Sequence, residues 1–381
     1  MSSEFLIIGG GVIGLSIART LHKQGAQRIT IVEKGECAGE ASWAAAGMLG
    51  VQAESNGAGP FFDLCGESRD MFPQLAAELL DETGIDIELD RTGTLCVAFS
   101  EEEARELDRR YGAQRGLGLN VKHLSRDEVL KAEPQASDQV LAGLLFPNDW
   151  QVDNRKLCSA LLQYARANGI DVRENTAAEG LIVESGCVAG VRTEGGPLTA
   201  SQTVLAAGAW SSLIEHNGAS MPFTVEPVRG QIIELHPVDH LFRHVIQTHR
   251  GYIVPRADGR ILAGSTTEHV GFAKEVTETA TAAMRSMVAE ISPVLDGLEI
   301  TDSWSGLRPF AGDDMPVLGP IEGTEGLFVA TGHYRNGILL APVTADIAAG
   351  YLMTGECSEH CRTFGPGRFT IKDSSGAIAA C

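Results

Sequence analysis

Basic side chains are scarce in this chain: 30 Lys and Arg stand against 50 Asp and Glu over 381 residues, a formal charge of −20. A surface of that sign repels phosphate backbones, which argues against nucleic acid as a partner. The opening "MSSEFLIIGGG" has neither a basic leader nor a long apolar stretch, so no secretory signal is expected. No segment reads as long enough to span a membrane. There is no Ser-His-Asp set, no HExxH and no Walker loop, so hydrolytic and nucleotide-triphosphate chemistries find no support. Eight cysteines (37, 65, 96, 158, 187, 357, 361 and 381) are scattered rather than paired, which predicts reduced thiols and a cytoplasmic protein. Cys357, His360 and Cys361 lie close in sequence, but two Cys and one His near the C-terminus make a poor ligand set. No metal is expected.

Glycine, in contrast, is abundant at 44 residues, as suits a fold with many tight turns and close backbone approaches. The length exceeds what one core usually sustains and predicts two domains. The sharpest local signal is "FLIIGGGVIGLSIARTL". Phe5–Ile8 reads as an apolar strand, Gly9-x-Gly11-x-x-Gly14 as a turn into a helix, and Ile13, Ile17 and Leu21 as that helix's buried face, ending near Gly25. "RITIVEK" follows as a second strand closing on Glu33, with Lys34 beside it. Strand, glycine turn, helix, strand and acidic residue together predict a dinucleotide-binding βαβ unit. The helix N-terminus, with Val12 and Ile13 in its first turn, offers free N–H groups to a pyrophosphate. Glu33 is placed to accept from an adenosine ribose hydroxyl. FAD and NAD both fit this unit alone.

Three later stretches bear on that choice. "ASWAAAGMLG" sets small residues directly after the βαβ unit, where main chain can reach something flat and large. "TVLAAGAWSS" is an apolar strand ending at Gly208. "GLFVATGHYRNGILLAP" is another, running through Gly332 and His333 into a packed helix. A nucleotide domain assembled from such separated pieces favours FAD, since NAD enzymes usually complete the fold locally. The run "SEEEARELDRR" reads as a solvated helix face, and "GYIVPRADGRILAGST" and "GLRPF" as short strands with turns.

The chain resembles the D-amino-acid oxidase family of flavoproteins, and within it the glycine oxidase branch linked to bacterial thiamine biosynthesis. The resemblance is carried, in order, by the N-terminal fingerprint, "SWAAAGML", "AAGAWS", "GYIVPRADGR", "WSGLRPF" and "GHYRNGILLAP". It implies an α/β protein with a glutathione-reductase-type FAD-binding Rossmann domain (1–83, 143–216 and 320–365), a mixed-β-sheet substrate domain (84–142 and 217–319) and a flexible C-terminal tail (366–381). It implies that Gly9, Gly11, Val12, Ile13, Gly14, Glu33, Lys34, Ser42, Ala46, Gly47, Met48, Ala178 and Gly208 bind FAD. Gly332, His333, Asn336, Gly337, Ile338 and Leu339 join them, with the last helix aiming its N-terminus at the flavin pyrimidine. Arg308 and Tyr252 would hold a substrate carboxylate, and Arg335 would line the flavin side.

The activity so implied is oxidation of glycine, sarcosine or small D-amino acids by hydride transfer to flavin N5. The imino acid formed gives a 2-oxo acid (glyoxylate from glycine) and ammonia, and dioxygen gives hydrogen peroxide. No acid–base residue is required, because the flavin performs the hard step. His249 and His333 are read as structural. "RPFAGDDMPVLG" has no Cys to link the flavin, which predicts non-covalent FAD. Thr267, and His249-Arg250-Gly251 before Tyr252, depart from the expected pattern where side-chain room is decided. A homotetramer is implied by the family. The competing readings are a D-amino-acid or sarcosine dehydrogenase using another acceptor, a non-catalytic flavin-binding regulatory protein, and the oxidase half of a tRNA-modifying enzyme.

Overall fold

The computed structural model describes residues 2–55, 57–216, 221–237, 239–372 and 378–380. Two large sheets organise them. In the first, five strands run parallel in the order Leu327–Thr331, Gly196–Leu205, Ser3–Ile8, Ile29–Val32 and Asp171–Arg173, with Val317–Pro320 antiparallel on the outer edge. The first strand explains why its sequence is unbroken apolar. Phe5 and Ile7 point into a helix-covered core, while Leu6 and Ile8 point into a second core on the opposite face. Strands of a parallel sheet are covered on both sides, so alternation disappears from the sequence.

Helices Val12–Lys23, Pro60–Thr83, Asn154–Ala167 and Gly337–Thr354 contribute to the first of those cores. Gly337–Thr354 corrects one expectation. It has the length and the mean hydropathy, 1.4, of a membrane-spanning segment, yet 67% of it is buried inside the protein, against Val12–Lys23 and Pro60–Thr83. It is apolar all round because neighbours surround it. The other face of the sheet carries the antiparallel strands Gly180–Glu184 and Cys187–Thr193, the latter pairing with the first half of Gly196–Leu205.

The second sheet runs Ile300–Phe310, Glu226–Leu235, Ile261–Gly264, Gly251–Pro255, Val245–Thr248, Thr94–Ala98, Ala142–Phe146 and Lys122–Ser125. All its pairs are antiparallel except Val245–Thr248 with Thr94–Ala98, so the sheet is mixed. Ile233, Ile253 and Ala263 face a core closed by helix Glu278–Ile291. Their neighbours Ile232, Tyr252, Val254 and Leu262 face the opposite way and pack with Ala44, Ala46 and Trp304. The second sheet is thus laid over the segment that follows the βαβ unit.

Two expected domain limits fall inside this pairing. Ala142–Phe146 belongs to the second sheet, so the break expected at 142/143 lies after that strand. Val317–Pro320 belongs to the first, so the limit expected at 319/320 lies before it. The run "SEEEARELDRR" begins helix Glu101–Gly116, opened by a capping box between Ser100 and Glu103. Of the segment expected to be flexible, Pro366–Phe369 forms a 3-10 turn in which Arg368 binds Asp313 at 2.8 Å. Residues 373–377 and 381 lie outside the described residues.

Candidate active site

Parallel strands deliver their carboxyl ends to one edge of a sheet, which is where such folds bind ligands. Here four neighbouring strands end at Ile8, Val32, Leu205 and Thr331, and the residues after them line one cavity of about 750 Å³ between the two sheets. Its nucleotide end is built by glycine. Gly9 has φ +110°, and a Cβ there would sit 2.3 Å from the Ala206 carbonyl oxygen. A Cβ on Gly14 would sit 2.0 Å from the Gly9 oxygen, so only glycine lets the helix approach the turn this closely. Gly11 N-caps helix Val12–Lys23 without a side chain, and the Val12 N–H donates to Ser42 Oγ at 3.0 Å.

Glu33 is mostly buried and ties the loop together, accepting from the Gly10 N–H at 2.9 Å and the Gly35 N–H at 3.0 Å. Lys34 binds Glu40 at 3.1 Å and lies 3.3 Å over the centre of the Trp210 ring. Of the expected cofactor residues, Gly9, Gly11, Val12, Ile13, Glu33, Lys34, Ser42, Ala46, Gly47, Met48, Ala178, Gly208, His333, Gly337 and Ile338 line the cavity. Gly14, Gly332, Asn336 and Leu339 stand behind its wall instead. Gly332 makes the turn after its strand at φ +71°, Asn336 N-caps helix Gly337–Thr354, and Leu339 is buried with its carbonyl accepting from Ser68 Oγ at 2.6 Å. That helix has no side-chain cap and no acid in its first turn, so its N-terminal dipole faces the cavity unneutralised.

The other end of the cavity is polar and holds Tyr252, Arg308 and Arg335 together. Trp304, Gly306 and Arg308 alternate along Ile300–Phe310 toward the cavity side. Glycine at 306 lets Ala44 come close, since an added Cβ would lie 2.5 Å from Ala44 Cβ. The Arg308 guanidinium crosses the neighbouring strand over Gly230, where a Cβ would lie 2.2 Å from Nη2. It donates from Nη1 to the Thr266 carbonyl at 3.0 Å and from Nη2 to Ser265 Oγ at 2.6 Å. Burial pulls it below the ordinary guanidinium range, and Arg335 adds to that while Tyr252 opposes it. Arg335 donates to Thr267 Oγ1 at 2.8 Å. Thus the run Ser265-Thr266-Thr267 fixes both arginines, and Thr267, the departure seen in the sequence, positions the second. Of the other departures, Arg250 binds Glu290 at 3.1 Å and His249 binds Glu103 at 2.7 Å beside the cavity. Tyr334, between His333 and Arg335, takes φ +47°, the kind of strained backbone that concentrates at functional sites.

Three residues missed by sequence reasoning matter here. Arg256, buried, donates to the carbonyls of Ala46 and Val152 and to Asn154 Oδ1, fixing the wall at Ala46–Gly47. Asp149, also buried, accepts the N–H groups of Gln52 and Ala53, and Glu54 next to them faces the cavity. Only the "PR" after "GYIV" hints at Arg256; nothing local marks the other two. Away from the site, His360 bonds Glu67 at 3.1 Å, and no group of metal-ligating side chains forms among the described residues.

His333 has a pH consequence. Burial pushes its imidazole down to about 3 from 6.5, and its Nε2 meets Thr344 Oγ1 at 3.0 Å. The folded chain therefore holds it neutral while the unfolded chain protonates it, so its contribution falls as pH drops below 6.5 toward 3. Asp149 works in the opposite sense, because burial raises it to about 6 and it takes up a proton in the folded state. His333→Asn is expected to remove the acid loss, up to about 1.4 kcal/mol per pH unit, relative to wild type. Melting temperatures of both proteins across that range check this; parallel curves would mean that His333 does not titrate on unfolding.

A parallel sheet presenting a glycine-rich phosphate turn, roofed by a mixed sheet that aims guanidinium groups inward, defines a two-domain dinucleotide-dependent oxidoreductase. Residues 4–351 match the family described as FAD dependent oxidoreductase. The glycine oxidase of Geobacillus kaustophilus is 38% identical over 349 residues, covering 91% of this chain and 92% of that protein. The crystal structure of glycine oxidase from Geobacillus kaustophilus superposes with a TM-score of 0.90 at 35% identity, covering 96% of this chain and 98% of that one. A bifunctional protein ThiO/ThiG of Synechocystis is 33% identical, with all of this chain covered by 56% of its length. The chain belongs to the FAD-dependent oxidoreductase family of D-amino-acid oxidase fold, and is an FAD-dependent amino-acid oxidase.

The residues present fit FAD. Close approaches at Gly9, Gly14 and Gly47, two helix N-termini without a side-chain cap from their own N-cap residues, and a cavity running from Glu33 to Tyr252 suit a long dinucleotide with a flat end. At Gly47 a Cβ would lie 2.0 Å from the Val152 oxygen, which keeps that wall free of side chain.

Proposed function

We propose that this chain oxidises glycine and other small primary and secondary amines, such as sarcosine and small D-amino acids, with non-covalently held FAD and dioxygen. The observation that supports this best is the Arg308 guanidinium, held from behind by Ser265 and Thr266 and facing the same cavity as Tyr252 and the helix Gly337–Thr354 N-terminus. Its remaining N–H groups suit the two oxygens of a carboxylate. The Tyr252 hydroxyl adds a donor to the same anion. Together they orient the substrate so that its α-carbon is presented to the cofactor, and the mixed sheet excludes water over it.

Bound FAD supplies the two-electron acceptance that turns an amine into an imine and passes the electrons to dioxygen as peroxide. The first-turn N–H groups of Gly337 and Ile338 would stabilise negative charge at the cavity wall they form. The imine then hydrolyses with water to a 2-oxo acid, releasing ammonia from a primary amine and the alkylamine from an N-alkylated one. The glycine oxidase and ThiO/ThiG relatives support glycine as a substrate and, with the sequence resemblance, a place in thiazole formation for thiamine. The same resemblance supports a cytoplasmic homotetramer.

Oxygen uptake with glycine, sarcosine, D-alanine and D-proline tests the reading. Peroxide formed in proportion to oxygen consumed is expected, from a yellow protein whose colour passes into the supernatant after acid precipitation. Reduction of the flavin by amine without oxygen uptake would instead establish a dehydrogenase. Colour kept in the precipitate would establish a covalent link.

A further inference from the structure

Among the described residues, Glu54 is the one carboxylate side chain at the polar end of the cavity beside Tyr252, Arg308 and Arg335. The loop that presents it is clamped. Asp149 accepts from the Gln52 N–H at 2.9 Å and the Ala53 N–H at 2.6 Å, and Arg110 donates to the Ala53 carbonyl at 2.8 Å. Glu54 folds over Gly50, whose added Cβ would lie 3.3 Å from Glu54 Cγ. Among the described residues its carboxyl has no hydrogen bond or ion pair, so its oxygens are free for a ligand. Its charged surroundings are Arg335 and Arg308, which favour the ionised form, and Asp149, which opposes it. The thiols of Cys65 and Cys96 also feel Glu54, and burial pushes both up to about 12, so they stay neutral.

The polar end therefore sets two guanidinium groups against one carboxylate. Arg335 is already engaged by Thr267 Oγ1 at 2.8 Å, which leaves Arg308 and Glu54 to take the carboxylate and the ammonium of a single-carboxylate amino acid. We propose that Glu54 receives the substrate's ammonium group and makes the site selective for amines bearing one carboxylate over those bearing two. A second carboxylate would meet Arg335 but also the like charge of Glu54, and juxtaposed like charges discriminate strongly. This inference rests on the amine-oxidising reading of the cavity. The protein atoms crowding the Glu54 carboxyl raise it to about 7 although the residue is exposed to the open cavity, so acidification through that value neutralises the group and weakens its attraction for an ammonium.

The experiment compares wild type, Glu54→Gln and Glu54→Asp as FAD-loaded proteins. Glycine and iminodiacetate, which carries two carboxylates on one amine, are the substrates; glycolate, which has a carboxylate and no ammonium, is a competitive ligand. In Glu54→Gln, kcat/KM for glycine is expected to fall about tenfold, and the iminodiacetate-to-glycine ratio to rise about a hundredfold. The glycolate inhibition constant falls, and the limb of the kcat/KM profile near pH 7 disappears. Glu54→Asp keeps the wild-type preference. An unchanged ratio with the pH limb intact in Glu54→Gln overturns the proposal while leaving the amine-oxidising reading in place. A wild-type protein that oxidises no amine overturns both.

Discussion

Arg308→Ala is expected to raise KM for glycine by roughly 30- to 3,000-fold while the protein stays yellow, because removing one partner of a buried, hydrogen-bonded charge pair costs about 2–5 kcal/mol. The guanidinium lies under the mixed sheet, bonded to Ser265 Oγ and the Thr266 carbonyl, and these two contacts hold its remaining N–H groups toward the cavity. None of its recorded contacts involves the glycine turn or Glu33, so FAD content should match wild type. Arg308→Lys should recover little, since an ammonium keeps the charge but cannot present two parallel donors. Gly230→Ala gives a second route to the same end without touching the arginine. Its Cβ would sit 2.2 Å from Nη2 and 2.3 Å from Nη1, so the side chain must leave its seat on that strand. The same rise in KM with full flavin content is expected. Steady-state rates with the absorbance ratio of flavin to protein decide the matter. Wild-type KM in Arg308→Ala would show that another group holds the carboxylate.

Much of the nucleotide end could be read from the chain because its causes are local. Gly9, Gly11 and Gly14 are spaced by the geometry of one turn and one helix, and Glu33 follows at the end of the next strand. Arg308 and Tyr252 were reached through resemblance. Their side-chain direction follows from the period of two along Ile300–Phe310 and Gly251–Pro255, once the sheet is known to have a cavity side. The limits of the two sheets were less legible. Ala142–Phe146 is as apolar as a strand of either sheet, and only its long-range pairing with Thr94–Ala98 and Lys122–Ser125 decides between them. Glu54 and Asp149 were missed for a related reason: they are separated by 95 residues in sequence and become one unit only when the chain folds back. The helix Gly337–Thr354 was legible as a packed helix, although its length and composition alone would also suit a lipid-surrounded segment.

Arg256 makes the strongest case for such a non-local element, and its removal is expected to abolish FAD retention. It follows strand Gly251–Pro255 in the second sheet, yet all its side-chain hydrogen bonds leave that sheet for Ala46 and the segment 151–154. Nη1 donates to the Val152 carbonyl at 2.7 Å, and Nη2 to the Ala46 carbonyl and Asn154 Oδ1, both at 3.0 Å. Asn154 passes the restraint on through Nδ2 to the Ser42 carbonyl at 2.8 Å, so one guanidinium fixes the segment from Ser42 to Gly47. Burial brings Arg256 down to about 10, which leaves it charged at neutral pH. Arg256→Ala would strand four buried acceptors, Gln151 Oε1 at 3.4 Å being the fourth, at about 1–3 kcal/mol each, a sum comparable with the 5–15 kcal/mol that holds a typical domain folded. Insoluble or flavin-free protein is expected. Arg256→Lys separates folding from cofactor binding, because an ammonium can reach one or two of those acceptors but, lacking the planar fork, not all four. This variant should fold, lose at least about tenfold in FAD affinity, and gain more melting temperature than wild type between stoichiometric and large-excess FAD. Wild-type affinity in Arg256→Lys would mean that Ser42–Gly47 holds its shape without the guanidinium, and that the cofactor wall is set by the glycines alone.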